Sequence, residues 1–123
     1  MNARFVHLFS MDGDDLSGYV PTDSRNFCLA MRLIAGPAGG EGEESFDFRV
    51  CTPDWLSASL TSGEIRLLRH ILLVDEYNYS KTYRFVSDFV ESCTGEGWDV
   101  IAEKLSRLGY WEFEDYVDFT PRS

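Results

Sequence analysis

From Asn26 to Cys51 the chain reads NFCLAMRLIAGPAGGEGEESFDFRVC, and the folding of this stretch decides the architecture. Its first part alternates Phe27, Leu29, Met31 and Leu33 against Cys28, Ala30, Arg32 and Ile34. A period of two predicts a strand. Its last part sets Phe46, Phe48 and Val50 against Ser45, Asp47 and Arg49, an alternation that places one face in a core and one in water. Between them, the glycine-rich GPAGGEGEES from Gly36 to Ser45 reads as a flexible connection. Together the three pieces predict a long-looped antiparallel hairpin.

The flanking sequence adds to this hairpin on both sides. Upstream, RFVHLF puts Phe5, His7 and Phe9 on one side and Val6 and Leu8 on the other, a strand with apolar residues on both faces. The Gly, Pro and Asp content of MDGDDLSGYVPTDS makes it a loop. Downstream, Thr52 as N-cap and Pro53 at the first helical position predict a short helix stopped by Gly63. His70 to Val74 reads as a buried strand. Ser80 can cap a helix carrying Phe85, Val86, Phe89, Val90 and Cys93 at helical spacing, with Gly95 as its stop. A second apolar stripe, Trp98, Ile101, Ala102, Leu105 and Leu108, ends at Gly109. The fold expected is α+β: an antiparallel sheet of about four to five strands with two main C-terminal helices packed on one face. No linker or repeat divides the chain, so residues 1–123 read as a single domain. In the tail YWEFEDYVDF, Trp111 and Phe113 are expected to point toward the core, and Glu112 and Glu114 toward solvent.

Charge narrows the function. Twenty-one Asp and Glu oppose 11 Lys and Arg, for a net charge of −10. Binding to nucleic acid or to an anionic membrane needs a dense basic patch, and the basic residues are scattered singly. Neither partner is therefore expected. Cys28, Cys51 and Cys93 are odd in number and far apart in sequence, with no CxxC pair, so they read as buried thiols of a reducing cytosol. The N-terminal apolar run is broken by His7 and Ser10, too polar for a signal peptide, and no stretch reaches transmembrane length. A soluble, cytoplasmic protein is expected.

Enzyme chemistry finds little support. There is no GxSxG, and His7 and His70 sit inside strand-like runs. The glycine loop carries Glu41, Glu43 and Glu44 where a phosphate-binding loop needs lysine and a hydroxyl. Asp54 with Glu64-Ile65-Arg66 superficially follows the PD-(D/E)xK nuclease pattern, but arginine stands in the lysine position and cannot act as a base. The pair Asp75-Glu76 reads as a solvated strand end. Acidic clusters remain: Asp12, Asp14 and Asp15; Glu41, Glu43 and Glu44; Glu112, Glu114, Asp115 and Asp118. Such a surface fits capture of a basic partner, because complementary fields raise association rates and select partners.

Three segments together carry a family resemblance: GEESFDFRVCTPDWL (Gly42–Leu56), RHILLVDEYNY (Arg69–Tyr79) and ESCTGEGWDVIAEKLSRLGYWEFEDY (Glu91–Tyr116). With them the chain resembles the Immunity protein 8 family of bacterial polymorphic-toxin systems, chiefly from Phe27 to Tyr116. The resemblance implies a small cytoplasmic protein that binds and blocks a cognate toxin domain, without cofactor or catalysis. Toxins of such systems are often nucleases with basic clefts, in keeping with the acidic surface. The candidate toxin-binding residues are Glu41, Glu43, Glu44, Asp75, Glu76, Glu112, Glu114, Asp115 and Asp118. Two other classes stay open: an acidic adaptor or DNA-mimic regulator binding a basic host protein, and a divalent-metal-dependent enzyme using Asp54 with Glu64 or Asp75 with Glu76.

Overall fold

The computed structural model describes residues 1–13, 16 and 18–113. In chain order the elements are β1 (Ala3–Ser10), β2 (Cys28–Pro37), β3 (Glu44–Cys51), α1 (Pro53–Ser59), β4 (Ile71–Leu73), α2 (Tyr79–Ser92), α3 (Trp98–Leu105) and β5 (Tyr110–Trp111). The strands form one sheet in the order β1-β2-β3-β4, with β5 also paired to β3. All pairings are antiparallel except β3 with β4. The α+β architecture expected from the sequence is the one found.

The β2–β3 hairpin forms with the expected faces. Leu29, Met31, Leu33, Phe46, Phe48 and Val50 are all buried, while Cys28, Ala30, Arg32, Ile34, Ser45 and Asp47 are half-buried and Arg49 is exposed. Arg32 and Asp47 stand directly opposite each other on the outer face and join through two contacts of 2.6 and 2.8 Å. Alternation therefore fixes both the core and a cross-strand ion pair. The loop after β2 folds back on the strand closely. At Gly36 a β-carbon would collide with the carbonyl oxygen of Gly42, so glycine is required there.

β1 departs from its expected pattern. Its pairing with β2 shifts between Phe5 and His7, leaving Val6 as a bulge. An extra residue on one strand reverses the alternation after it. Ala3 and Phe5 thus face the core before the bulge, and Leu8 and Ser10 after it. His7 and Phe9 lie outside, stacked with ring centroids 5.1 Å apart.

The inner face is covered by the two longer helices. Val86 and Val90 of α2 and Ile101, Ala102 and Leu105 of α3 are buried against the sheet residues, and Leu108 closes the core beyond α3. α2 begins one residue before its expected cap. Asn78 rather than Ser80 is the N-cap, and its side-chain oxygen accepts the Lys81 N–H at 3.0 Å. The helix stops at Ser92, before Gly95. α1 ends at Ser59, four residues short of Gly63, and buries no residue fully. Thr52 occupies the N-cap position of α1, yet its hydroxyl accepts the Phe27 N–H at 3.1 Å and so ties β2 to the end of β3.

The run His70–Val74 does not form the buried strand expected of it. Only Ile71–Leu73 pairs, parallel to the last three residues of β3, and Leu73 is exposed. His70 has φ 59°, the left-handed region that side chains seldom occupy. Its Nε2 lies 2.8 Å from the Ser106 carbonyl, which only accepts, so this nitrogen carries the hydrogen. That bond, together with pairing to β3, holds the chain in a conformation its β-branched surroundings alone would not choose.

Two stability outcomes follow from this packing. Phe46 is the largest of the fully buried side chains, and Phe46→Ala is expected to lower stability by about 3–5 kcal/mol in urea unfolding. At the left-handed position, His70→Gly is expected to be more stable than His70→Ala by about 1 kcal/mol in the same measurement, since both lose the imidazole but only glycine relieves the backbone.

Candidate functional site

The site is built at the end of the sheet where β3 begins. Glu44 opens β3 on the core-facing side of the alternation, at a depth where its stem is half-buried. One of its carboxylate oxygens, Oε2, accepts the indole N–H of Trp98 and that of Trp111, each at 2.7 Å. Trp98 is the first residue of α3 and Trp111 the last of β5. A single carboxylate thus fastens a helix start and a terminal strand to the central hairpin. Bonds to an ionised acceptor are the stronger kind, and two indole donors leave the oxygen well satisfied.

β5 reaches this position because of what precedes it. A β-carbon at Gly109 would lie 2.9 to 3.1 Å from the backbone and Cβ of Phe46 and the amide of Asp47, so only glycine lets the chain turn against β3. Beyond β5, the Glu112 carboxylate accepts the Ser45 N–H at 2.9 Å, and the Glu112 N–H donates to the Ser45 carbonyl at 3.3 Å. Phe113 then packs edge-on against Trp111, with ring centroids 5.8 Å apart. Of Trp111 and Phe113, the two tail aromatics expected to face the core, Trp111 does so, half-buried against it. Phe113 is 42% exposed, since the chain turns at Glu112 and Phe113 rather than continuing as a strand.

The result is a groove of about 420 Å³ between the loop after β2 and the end of β5. Glu41, Glu43, Glu44 and Glu112 line it together with Trp98 and Phe113. Glu41 and Glu43 are exposed on the loop, while Glu44 and Glu112 hold the framework. The ion pairs Arg32–Asp47 and Arg66–Glu64 lie outside this lining. Four carboxylates thus stand beside two aromatic rings, and negative charge and the faces of aromatic rings both attract cations in general.

The sequence candidates divide accordingly. Glu41, Glu43, Glu44 and Glu112 come together although about 70 residues separate the first from the last. Asp75 and Glu76 do not join them. They are exposed just after β4, which runs parallel to β3, so they lie at the far end of the sheet, roughly 25 Å away at about 3.3 Å per residue. There they line a separate hollow with Leu72, Asn78, Lys81 and Phe85. Glu114, Asp115 and Asp118, with Asp14 and Asp15, lie outside the described residues. Trp98 was legible only as part of a helical stripe, and nothing in its spacing pointed to Glu44.

The nuclease-like carboxylates are also apart from any shared centre. Asp54 lies in the first turn of α1. Glu64 is held by Arg66 at 2.9 and 3.1 Å and by the Thr61 N–H at 3.0 Å, bonds that keep its carboxyl below the usual range. Among the described residues, no group of three or more His, Cys, Asp or Glu side chains is arranged to hold a metal ion. None of the helices is long and apolar enough to cross a membrane, among the described residues.

Fold and groove together define a class, a small acidic α+β domain with a candidate recognition surface at one end of its sheet. The chain belongs to the Immunity protein 8 family, whose model matches residues 4–116. The match begins at Arg4, so β1 belongs to the family fold as well as the stretch from Phe27 onward. No curated protein and no solved structure matches the chain. Family membership makes this an immunity protein, in keeping with neutralisation of a toxin.

The framework role of Glu44 is open to a direct check. Glu44→Ala leaves two indole donors without their acceptor and is expected to lower stability by about 1–3 kcal/mol, with a red shift of tryptophan emission. Glu44→Gln keeps an acceptor oxygen and is expected to lose less in both measurements.

Proposed function

We propose that this protein neutralises a toxin domain with a basic active-site cleft by seating a lysine- or arginine-bearing element of that toxin in the groove at the start of β3. One observation carries the proposal: four carboxylates, Glu41, Glu43, Glu44 and Glu112, converge with Trp98 and Phe113 on one groove of a chain whose net charge is −10. Glu44 and Glu112 are held by hydrogen bonds, so part of the charge is positioned before the partner arrives. Preorganised charge lowers the cost of ordering on binding, and the exposed ring of Phe113 supplies an apolar anchor. Inhibition is steric and electrostatic: the bound immunity protein covers the cleft and cancels the field that draws in a polyanionic substrate. The protein acts in the cytoplasm of the producing cell and uses neither cofactor nor catalysis.

The test begins with co-expression. The product of the gene immediately upstream is expected to stop growth alone, to be harmless with this protein, and to co-purify with it. A harmless upstream product, or one that this protein neither rescues nor binds, rules the reading out. The groove is tested separately by Glu41→Gln with Glu43→Gln, exposed positions whose change leaves the Trp98–Glu44–Trp111 framework intact. The double variant is expected to associate about three- to tenfold more slowly at low ionic strength, with the difference shrinking as salt is added. Unchanged association at low salt places the contact surface elsewhere on the protein.

A further inference from the structure

The far end of the central hairpin holds two cysteines that toxin capture leaves unused. Cys28 opens β2, Cys51 closes β3, and the register sets them directly opposite each other. The Thr52 N–H donates to the Phe27 carbonyl at 3.2 Å, which brackets the pair and makes it a non-hydrogen-bonded position of the ladder. At such positions opposed Cα atoms lie about 4.5 Å apart, within the span of about 4.4–6.8 Å that a disulfide bridges. Both side chains take the outer-face parity of Ala30 and Arg49, apart from the core under α2 and α3. The Cys51 thiol points at the Cys28 sulfur with 3.0 Å between the two Sγ atoms. A covalent bond of about 2.05 Å needs only about 1 Å of sulfur movement, within reach of a small χ1 adjustment.

We propose that Cys28 and Cys51 form a two-electron dithiol–disulfide site whose co-substrate is a low-molecular-weight disulfide of the glutathione class. Cys28 is half-buried and Cys51 fully buried, so the incoming disulfide meets Cys28 first. The Cys28 thiolate attacks one sulfur of the small disulfide, forming a mixed disulfide and releasing one thiolate. Burial and the bond to Cys28 push the Cys51 thiol up to about 12, so it keeps its proton until that step is complete. The released thiolate then takes the Cys51 proton, and the Cys51 sulfur attacks Cys28 Sγ and expels the second small thiolate. In sum, two protein thiols and one small disulfide become one protein disulfide and two small thiols, the protein losing two electrons and two protons. Cys93 closes α2 elsewhere in the fold, and burial raises its thiol, so it serves as an internal control.

The test uses the full-length protein equilibrated over a series of oxidised-to-reduced glutathione ratios, then acid-quenched, denatured, alkylated and peptide-mapped by mass spectrometry. Two of the three thiols are expected to vanish together, with Cys28 and Cys51 recovered in one cross-linked peptide and Cys93 alkylated. Cys51→Ser is expected to stop at a glutathione adduct on Cys28, and Cys28→Ser to react at least about tenfold more slowly than the unchanged protein. Alkylation of all three cysteines across the whole series overturns the proposal. So does a cross-link that includes Cys93, or an adduct on Cys28 that persists in the unchanged protein. Mapping of the unchanged protein decides the matter whether or not the variants fold, and it is independent of any toxin.

Discussion

The register between β2 and β3, running from Cys28 opposite Cys51 to Ala35 opposite Glu44, is the constraint on which the rest of the molecule depends. Side chains alternate strictly along a strand, so a slip of one residue would exchange the two faces of β3. Phe46, Phe48 and Val50 would leave the core, and Asp47 would no longer face Arg32. Glu44 would turn away from Trp98 and Trp111, and the sulfurs of Cys28 and Cys51 would part. Core, groove and cysteine pair are therefore three readings of one alignment. The burial of the inner face is what selects it, because each large apolar side chain withdrawn from water contributes about 1.5–3 kcal/mol.

The parts of this fold that were legible in the sequence are those governed by local periodicity. The alternation at Leu29, Met31 and Leu33 and at Phe46, Phe48 and Val50 marked both strands and the buried face of each. The helical stripes through Val86 and Val90, and through Ile101 and Leu105, marked the covering layer. What escaped was set by partners distant in sequence. The bulge at Val6 depends on how β1 meets β2, so no pattern within RFVHLF announces it. The parallel pairing of Ile71–Leu73 depends on β3 offering its edge, and the same apolar composition would suit a buried strand. His70 adopts φ 59° because Ser106 and β3 hold it there.

The candidate site was legible in its chemistry and not in its assembly. Composition pointed to Glu41, Glu43, Glu44 and Glu112 as acidic positions, yet grouped them with Asp75 and Glu76, which lie at the other end of the sheet. Charge counting treats every carboxylate alike. The structure separates Glu44 and Glu112, which accept hydrogen bonds from the framework, from Glu41 and Glu43, which project from the loop. The cysteines show the same limit from the other side: 23 positions apart in sequence, they meet only because the hairpin closes.

Short strands at one margin of the sheet have a consequence for how the protein behaves in a crowded cell. The margin of β3 is shared by two stubs, β5 on Phe46 and Asp47 and β4 on Arg49 to Cys51, so its backbone donors and acceptors are occupied by two brief pieces of chain. Neither stub is long enough to template a strand from another molecule. At the opposite margin, β1 carries a kink at Val6 that breaks the straight row of amides a neighbour would need. A flat open edge invites edge-to-edge aggregation, and both margins here are blunted by geometry. Edge-to-edge strand pairing between copies of the protein is thereby disfavoured.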